Sequence, residues 1–126
     1  MAAGEWIVDG NNVMGTRPDG WWRDRRAAMR RLVGELEAFA ARDGRPVTVL
    51  FDGTPFEAGG GERVAVRFAS RKGRDAADDD IAALVARHPE PGTLTVVTSD
   101  RGLTARVASA GATVEGAQTF LARLAG

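Results

Sequence analysis

Glu5-Trp6-Ile7-Val8-Asp9-Gly10-Asn11-Asn12 is the stretch around which the chain is organised. Trp6, Ile7 and Val8 form a short aromatic and β-branched run, and the Asp-Gly-Asn-Asn that follows has the composition of a turn. Together they predict a buried strand that stops at Asp9. A carboxylate is thereby placed at the carboxyl end of a core strand, the edge of an open α/β sheet where ligands bind. Asp-Gly after a strand is also a common turn, so the weight comes from repetition. Val47 to Phe51 runs into Asp52-Gly53, and Thr93 to Thr98 runs into Ser99-Asp100.

Working outward, Met14 to Gly20 reads as a loop. Trp22, Met29, Leu32, Val33, Leu36, Phe39 and Ala40 then recur at helical spacing and predict a helix from about Trp22 to Ala41. Arg17, Arg23, Arg25, Arg26, Arg30 and Arg31 crowd this loop and the first half of the helix, beside Trp21-Trp22. They read either as a solvated face with one Trp in the core or as a phosphate-tracking patch with an aromatic platform for a base. The second strand spans Pro46 to Phe51. Gly59-Gly60-Gly61 follows in a loop without the Gly-Lys-Ser/Thr of a Walker motif. Arg63 to Phe68 alternates as a strand with arginines on one face, which suits a sheet edge.

The basic run Arg71-Lys72-Gly73-Arg74 abuts Asp75, Asp78, Asp79 and Asp80, which open a helix reaching Arg87. One or two acids in a first turn are ordinary dipole partners, and this stretch holds more than capping needs. At about 100° per residue, with Ile81, Leu84 and Val85 facing the sheet, Asp78 lies about 60° from Ile81, Asp80 about 100° and Asp79 about 160°. Thr93 to Thr98 is the fourth strand, Gly102 to Ser109 a helix, Gly111 to Val114 the last strand and Ala117 to Leu124 a closing helix.

The order β, α, β, β, α, β, α, β, α predicts an α/β fold, a single-domain three-layer α/β/α sandwich around a mostly parallel five-stranded sheet. Right-handed crossovers allow the strand order 3-2-1-4-5, with a switch point between the first and fourth strands. Asp9, Asp52, Asp78 and Asp100 then converge there from distant parts of the chain.

Composition narrows the chemistry. The 126 residues carry 17 Lys and Arg against 17 Asp and Glu, so any attraction to nucleic acid must come from local clustering. There is no cysteine and only one histidine, His88, so thiolate and histidine zinc sites are excluded and a metal site must be built from oxygen. Carboxylate-rich oxygen sites suit Mg²⁺ or Mn²⁺. No basic and apolar leader precedes Trp6, and no apolar run approaches the ~20 residues of a membrane span. A cytoplasmic protein without membrane contact is expected.

Asp-Gly-Asn-Asn after the first strand, Phe-Asp-Gly after the second, Ala-Ala-Asp-Asp-Asp-Ile opening a helix and Thr-Ser-Asp after the fourth strand resemble the NYN branch of the PIN-like ribonucleases, nearest to its YacP-like group. The resemblance runs from Trp6 to about Leu121. It implies a metal-dependent endoribonuclease with Asp9, Asp78 and Asp100 as the matched acids and Asp52 as a fourth ligand. Asn12 and Ser99 are the matched polar residues, with Asn11 and Asp79 in support. Many NYN relatives carry a second acid two residues after the Ser-Asp, where this chain has Gly102.

A cation on these acids can activate water and polarise a scissile phosphate. Asn12 stays neutral, so it orients a carboxylate or touches substrate. Arg71, Lys72 and Arg74 are placed to hold the RNA backbone, with Arg23, Arg26 and Trp21 as a second contact region. RNA is the expected partner, including RNA on the ribosome. Two rival classes stand beside the hydrolase. A non-catalytic RNA- or ribosome-binding module is favoured by Gly102. A receiver-like phosphoacceptor is disfavoured because the only lysine, Lys72, precedes the acidic helix instead of ending a late strand.

Overall fold

Parallel pairing of β1 (Glu5–Asp9) with β2 (Val47–Phe51) on one side and β4 (Leu94–Val97) on the other puts the first strand at the centre of the sheet. β3 (Val64–Phe68) pairs with β2 and β5 (Thr113–Glu115) with β4, giving the order 3-2-1-4-5. The expected order is found, and every pairing is parallel. This computed structural model describes residues 4–73 and 75–126. Arg74, one of the expected phosphate contacts, lies outside the described residues.

Strand alternation sorts the core into two faces. Trp6 and Val8 of β1, Val47, Val49 and Phe51 of β2 and Val97 of β4 pack under α1 (Gly10–Thr16), α2 (Arg25–Asp43) and α5 (Ala117–Ala125). Ile7, Leu50, Leu94 and Val96 face the other way, under α3 (Ala76–Arg87) and α4 (Arg101–Ser109). Trp6 anchors the first face. Its ring meets Phe39 and Phe120 at centroid separations of 5.5 and 5.3 Å. Its indole N–H donates to Asp43 Oδ2 at 3.0 Å while the Arg45 guanidinium lies 4.4 Å above the ring. Hydrogen bonds from Arg45, helped by that indole, hold the Asp43 carboxyl down at about 2.

Two elements depart from the sequence reading. Asp-Gly-Asn-Asn is no turn: Gly10 to Thr16 is helical directly after β1. Glycine and asparagine are poor helix formers, so the helix is imposed by packing. A Cβ on Gly10 would sit 2.5 Å from the Phe51 ring and 2.9 Å from the Leu50 carbonyl oxygen, so only glycine lets α1 start this close to β2. The second departure is at the helix expected from Trp22 to Ala41. A 3-10 turn, Trp21–Arg23, is separated from α2 by Asp24, whose side chain accepts from Ala27 N and caps the new helix. None of the described helices is long and apolar enough to cross a membrane.

Candidate functional site

The odd positions of β1 face α3 and α4, so Asp9 ends the strand pointing toward that layer. It is 4% exposed. In the sheet register Val8 pairs with Val97, which sets Asp9 beside Thr98, and the buried Thr98 hydroxyl donates to Asp9 Oδ2 at 2.8 Å. The same hydroxyl accepts from the Asp100 backbone N–H at 3.1 Å. Burial pushes the Asp9 carboxyl up to about 6, with the charges of Asp52 and Asp100 adding to the rise. The Thr98 hydroxyl and the Asn12 backbone N–H oppose it. Asp78, in the first turn of α3, is pushed up to about 7, first by burial and then by Asp9, Asp100, Asp75 and Asp52. Carboxylates from separate segments therefore act on one another across the carboxyl end of the sheet.

Consecutive asparagines on α1 tie the neighbouring strand ends to β1. Asn11 Oδ1 accepts from Asp52 N at 2.7 Å on the β2 side, and Asn12 Oδ1 accepts from Ser99 N at 2.8 Å on the β4 side. Each of those strand ends then grips a helix start. Asp52 Oδ1 accepts from Ala77 N of α3, Ser99 Oγ from Ala117 N of α5 and Asp100 Oδ1 from Leu103 N of α4, all at 2.8 Å. The bonds leave Oδ2 of Asp52 and Asp100, and both oxygens of Asp78, without a hydrogen-bond donor among the described residues. Also among the described residues, no three acidic or histidine side chains form a group that could hold a metal ion in this arrangement.

A family model of the YacP-like NYN domain matches residues 6–125. The chain belongs to the YacP-like NYN family. That family is of nuclease type. Among solved structures, a tryptophan-to-leucine mutant of Rae1 (YacP) from Bacillus subtilis is similar to this YacP-like NYN chain at TM-score 0.79 and 25% identity, over 97% of this chain and 75% of that one. A second structure of Rae1 (YacP) from the same organism gives TM-score 0.79 and 23% identity, over 96% and 73% of the two chains. No curated protein matches the chain.

Other residues singled out in this YacP-like NYN sequence are placed differently from one another. Asp79 points outward, bridging Arg71 of the β3–α3 connection and Arg106 of α4, the latter at 2.9 Å. Those two arginines hold its carboxyl below the ordinary range. Asp80 accepts from Ser70 N at 2.6 Å and from Ser70 Oγ at 2.8 Å, so it fastens the connection that precedes α3. Arg71 is therefore engaged by an acid, while Lys72 is exposed. Arg23 and Arg26 are exposed. Trp21 is half-buried against the core, whereas Trp22 is 58% exposed and meets it edge to face at 5.9 Å.

Thr98 is a site residue that the sequence patterns do not single out, and Asp75 is legible there only as one of the acids before α3. Thr98 has a signal in its position one residue before Ser99-Asp100, but its partner can be named only once β1 and β4 are in register. Asp75 carries a backbone φ of 60° just before α3, a left-handed conformation that aspartate tolerates better than most residues.

Proposed function

We propose that this chain is a metal-dependent endoribonuclease that cleaves single-stranded RNA at the acid cluster, with Asp9, Asp78 and Asp100 holding Mg²⁺ or Mn²⁺ and Asp52 as a fourth carboxylate. The observation that carries the reading is the crowding itself. Asp9 and Asp78 are pushed to about 6 and about 7 by burial and by the charges of the surrounding aspartates, an arrangement that repels itself until a cation arrives. The donor set is all oxygen, which matches hard divalent cations. Mg²⁺ commonly keeps several waters and takes only one or two carboxylates, so it does not require three acids already gathered into a cage.

When bound, such a cation supplies charge neutralisation and activates water and phosphate for in-line displacement. The chain's own residues do the positioning. Thr98 holds one oxygen of Asp9 and aligns the Asp100 backbone, Asn12 holds Ser99 in place, and Asn11 holds Asp52. Without a cation Asp78, at about 7, is partly protonated near neutral pH whereas Asp9, at about 6, is mostly ionised, so proton release on cation binding falls chiefly on Asp78.

A second reading, an RNA-binding module without catalysis, is favoured by Gly102. It stands where many NYN relatives carry an acid, and a Cβ there would lie 3.3 Å from Asp100 Oδ1, so a side chain at this position would crowd that carboxylate. Incubating the purified chain with labelled single-stranded RNA, in Mn²⁺ and in excess EDTA, separates the readings. Cleavage in Mn²⁺ that stops in EDTA is expected. Binding with no cleavage in either condition favours the module, and cleavage that persists in EDTA contradicts the proposed chemistry.

A further inference from the structure

We infer that the groove between the start of α2 and the β2–β3 connection holds one nucleotide of a single-stranded RNA, with Arg25 and Arg26 on its phosphate and the Arg26 guanidinium plane under its base. The inference rests on the ribonuclease reading and supplies the path by which substrate reaches the acids. A cavity of about 430 Å³ opens there, walled by Arg25, Arg26, Asp52, Thr54 and Phe56 among others. That size falls within the roughly 300–1,000 Å³ of small-molecule sites. Asp52 belongs both to this wall and to the acid cluster. A strand bound in the groove therefore continues directly onto the carboxylates.

Among the described residues several arginines lack an acid partner; those of this region are set apart by the cavity they wall and by the Phe56 ring they surround. Arg17, Arg31, Arg45, Arg71, Arg106 and Arg123 each sit on a carboxylate. Arg25, Arg26 and Arg30 have no carboxylate partner among the described residues, although the whole chain carries equal numbers of acids and cations. Their positive charge is left for an anion from outside. The basic connection before α3 is different, since Arg71 already faces Asp79.

Phe56 organises the cations. The Arg26 guanidinium lies 4.8 Å and that of Arg30 5.1 Å from its ring centroid. Arg30 is fixed further by donating from Nε to the Glu57 carbonyl at 3.3 Å. Stacking on a ring orders the planar guanidinium of Arg26 in advance, and an ordered guanidinium plane accepts a stacked, unpaired base on its outer side. The same group donates hydrogen bonds to phosphate. A lysine supplies the charge without the plane.

Binding of a short fluorescent single-stranded RNA by anisotropy across a salt series, in EDTA so that nothing is cleaved, tests this. Each phosphate contact to a single strand contributes a slope of roughly 0.7 in log K against log salt. Both arginines act on one phosphate, so Arg25→Ala with Arg26→Ala is expected to flatten the slope by about 0.7 and to weaken binding on the order of tenfold at low salt. Arg63→Ala with Arg87→Ala, exposed arginines elsewhere on the protein, should leave the slope unchanged. Arg26→Lys should keep the wild-type slope yet bind several-fold more weakly, because it removes the base platform alone. Wild-type slope in the double alanine variant, from a protein that still cleaves RNA in Mn²⁺, overturns the groove and leaves the ribonuclease reading standing. Wild-type affinity in Arg26→Lys overturns the stacked base, and failure of the unaltered protein to bind RNA in EDTA overturns the groove, while the ribonuclease reading is judged by cleavage in Mn²⁺.

Discussion

Asp78 bears the negative charge of four other aspartates while remaining only partly removed from water. Folding raises its carboxyl to about 7 and that of Asp9 to about 6, from the ordinary 3.8 of an unperturbed aspartate. Between pH of about 4 and about 7 the folded protein thus binds protons more tightly than the unfolded chain, so the stability contributed by these groups falls as pH rises through that window. Asp78→Asn removes one of the repelling charges. Without metal it should raise the melting temperature at pH 8 by roughly 2–5 °C, after allowance for solvent screening, and the gain should vanish near pH 4, where the wild-type carboxyl is already protonated. The same variant should abolish RNA cleavage in Mn²⁺. Near wild-type cleavage would remove Asp78 from the centre of the site. Helical angles on the sequence are enough to separate Asp78 from Asp79 and Asp80, because all three lie within one turn of α3. They cannot reveal that Asp80 holds Ser70 or that Asp79 bridges two arginines, since those partners come from a connection and another helix.

Helix α1 is short, composed of weak helix formers, and essential to the site's geometry. It carries both asparagines that hold the β2 and β4 ends, and it starts at the one residue small enough to pass Phe51. Gly10→Ala should destabilise the protein by about 2 kcal/mol through overpacking, a loss of about 8 °C in melting temperature for a chain of this size. Thermal unfolding followed by circular dichroism measures it, and a change below about 2 °C, a quarter of that expectation, would mean that the Phe51 ring moves aside freely. Asp-Gly-Asn-Asn reads as a turn in the sequence because glycine and asparagine favour turns locally. The helix exists because contacts with β2 and β4 outweigh that preference. At the longer α2, six apolar positions at helical spacing are legible, and its start is shifted past Trp22 by the Asp24 cap.

Across the whole molecule, a neutral total hides two separated fields, an acid cluster at the carboxyl edge of the sheet and unpaired arginines along the adjoining groove. Cation binding should couple to both folding and pH. A cation at a hundredfold excess over its Kd stabilises the folded state by about 2.7 kcal/mol, and protons on Asp9 and Asp78 compete with it. Millimolar Mn²⁺ should therefore raise the melting temperature more at pH 8 than at pH 6, as scanning calorimetry can show. Equal shifts at the two pH values would place the ion elsewhere. The sequence alone determined the order of the strands and of the longer helices, though not α1, together with the strand order 3-2-1-4-5 and which acids follow strands. Hydrophobic period and the handedness of crossovers are local rules that short windows of chain obey. Only the tertiary structure decided which acids feel one another, that Thr98 reaches Asp9 across 89 positions of chain, and that Arg71 is neutralised while Arg25 and Arg26 are not. Desolvation, hydrogen-bond pairing and charge repulsion depend on distance in space, and distances between remote segments exist only once the sheet has brought them together.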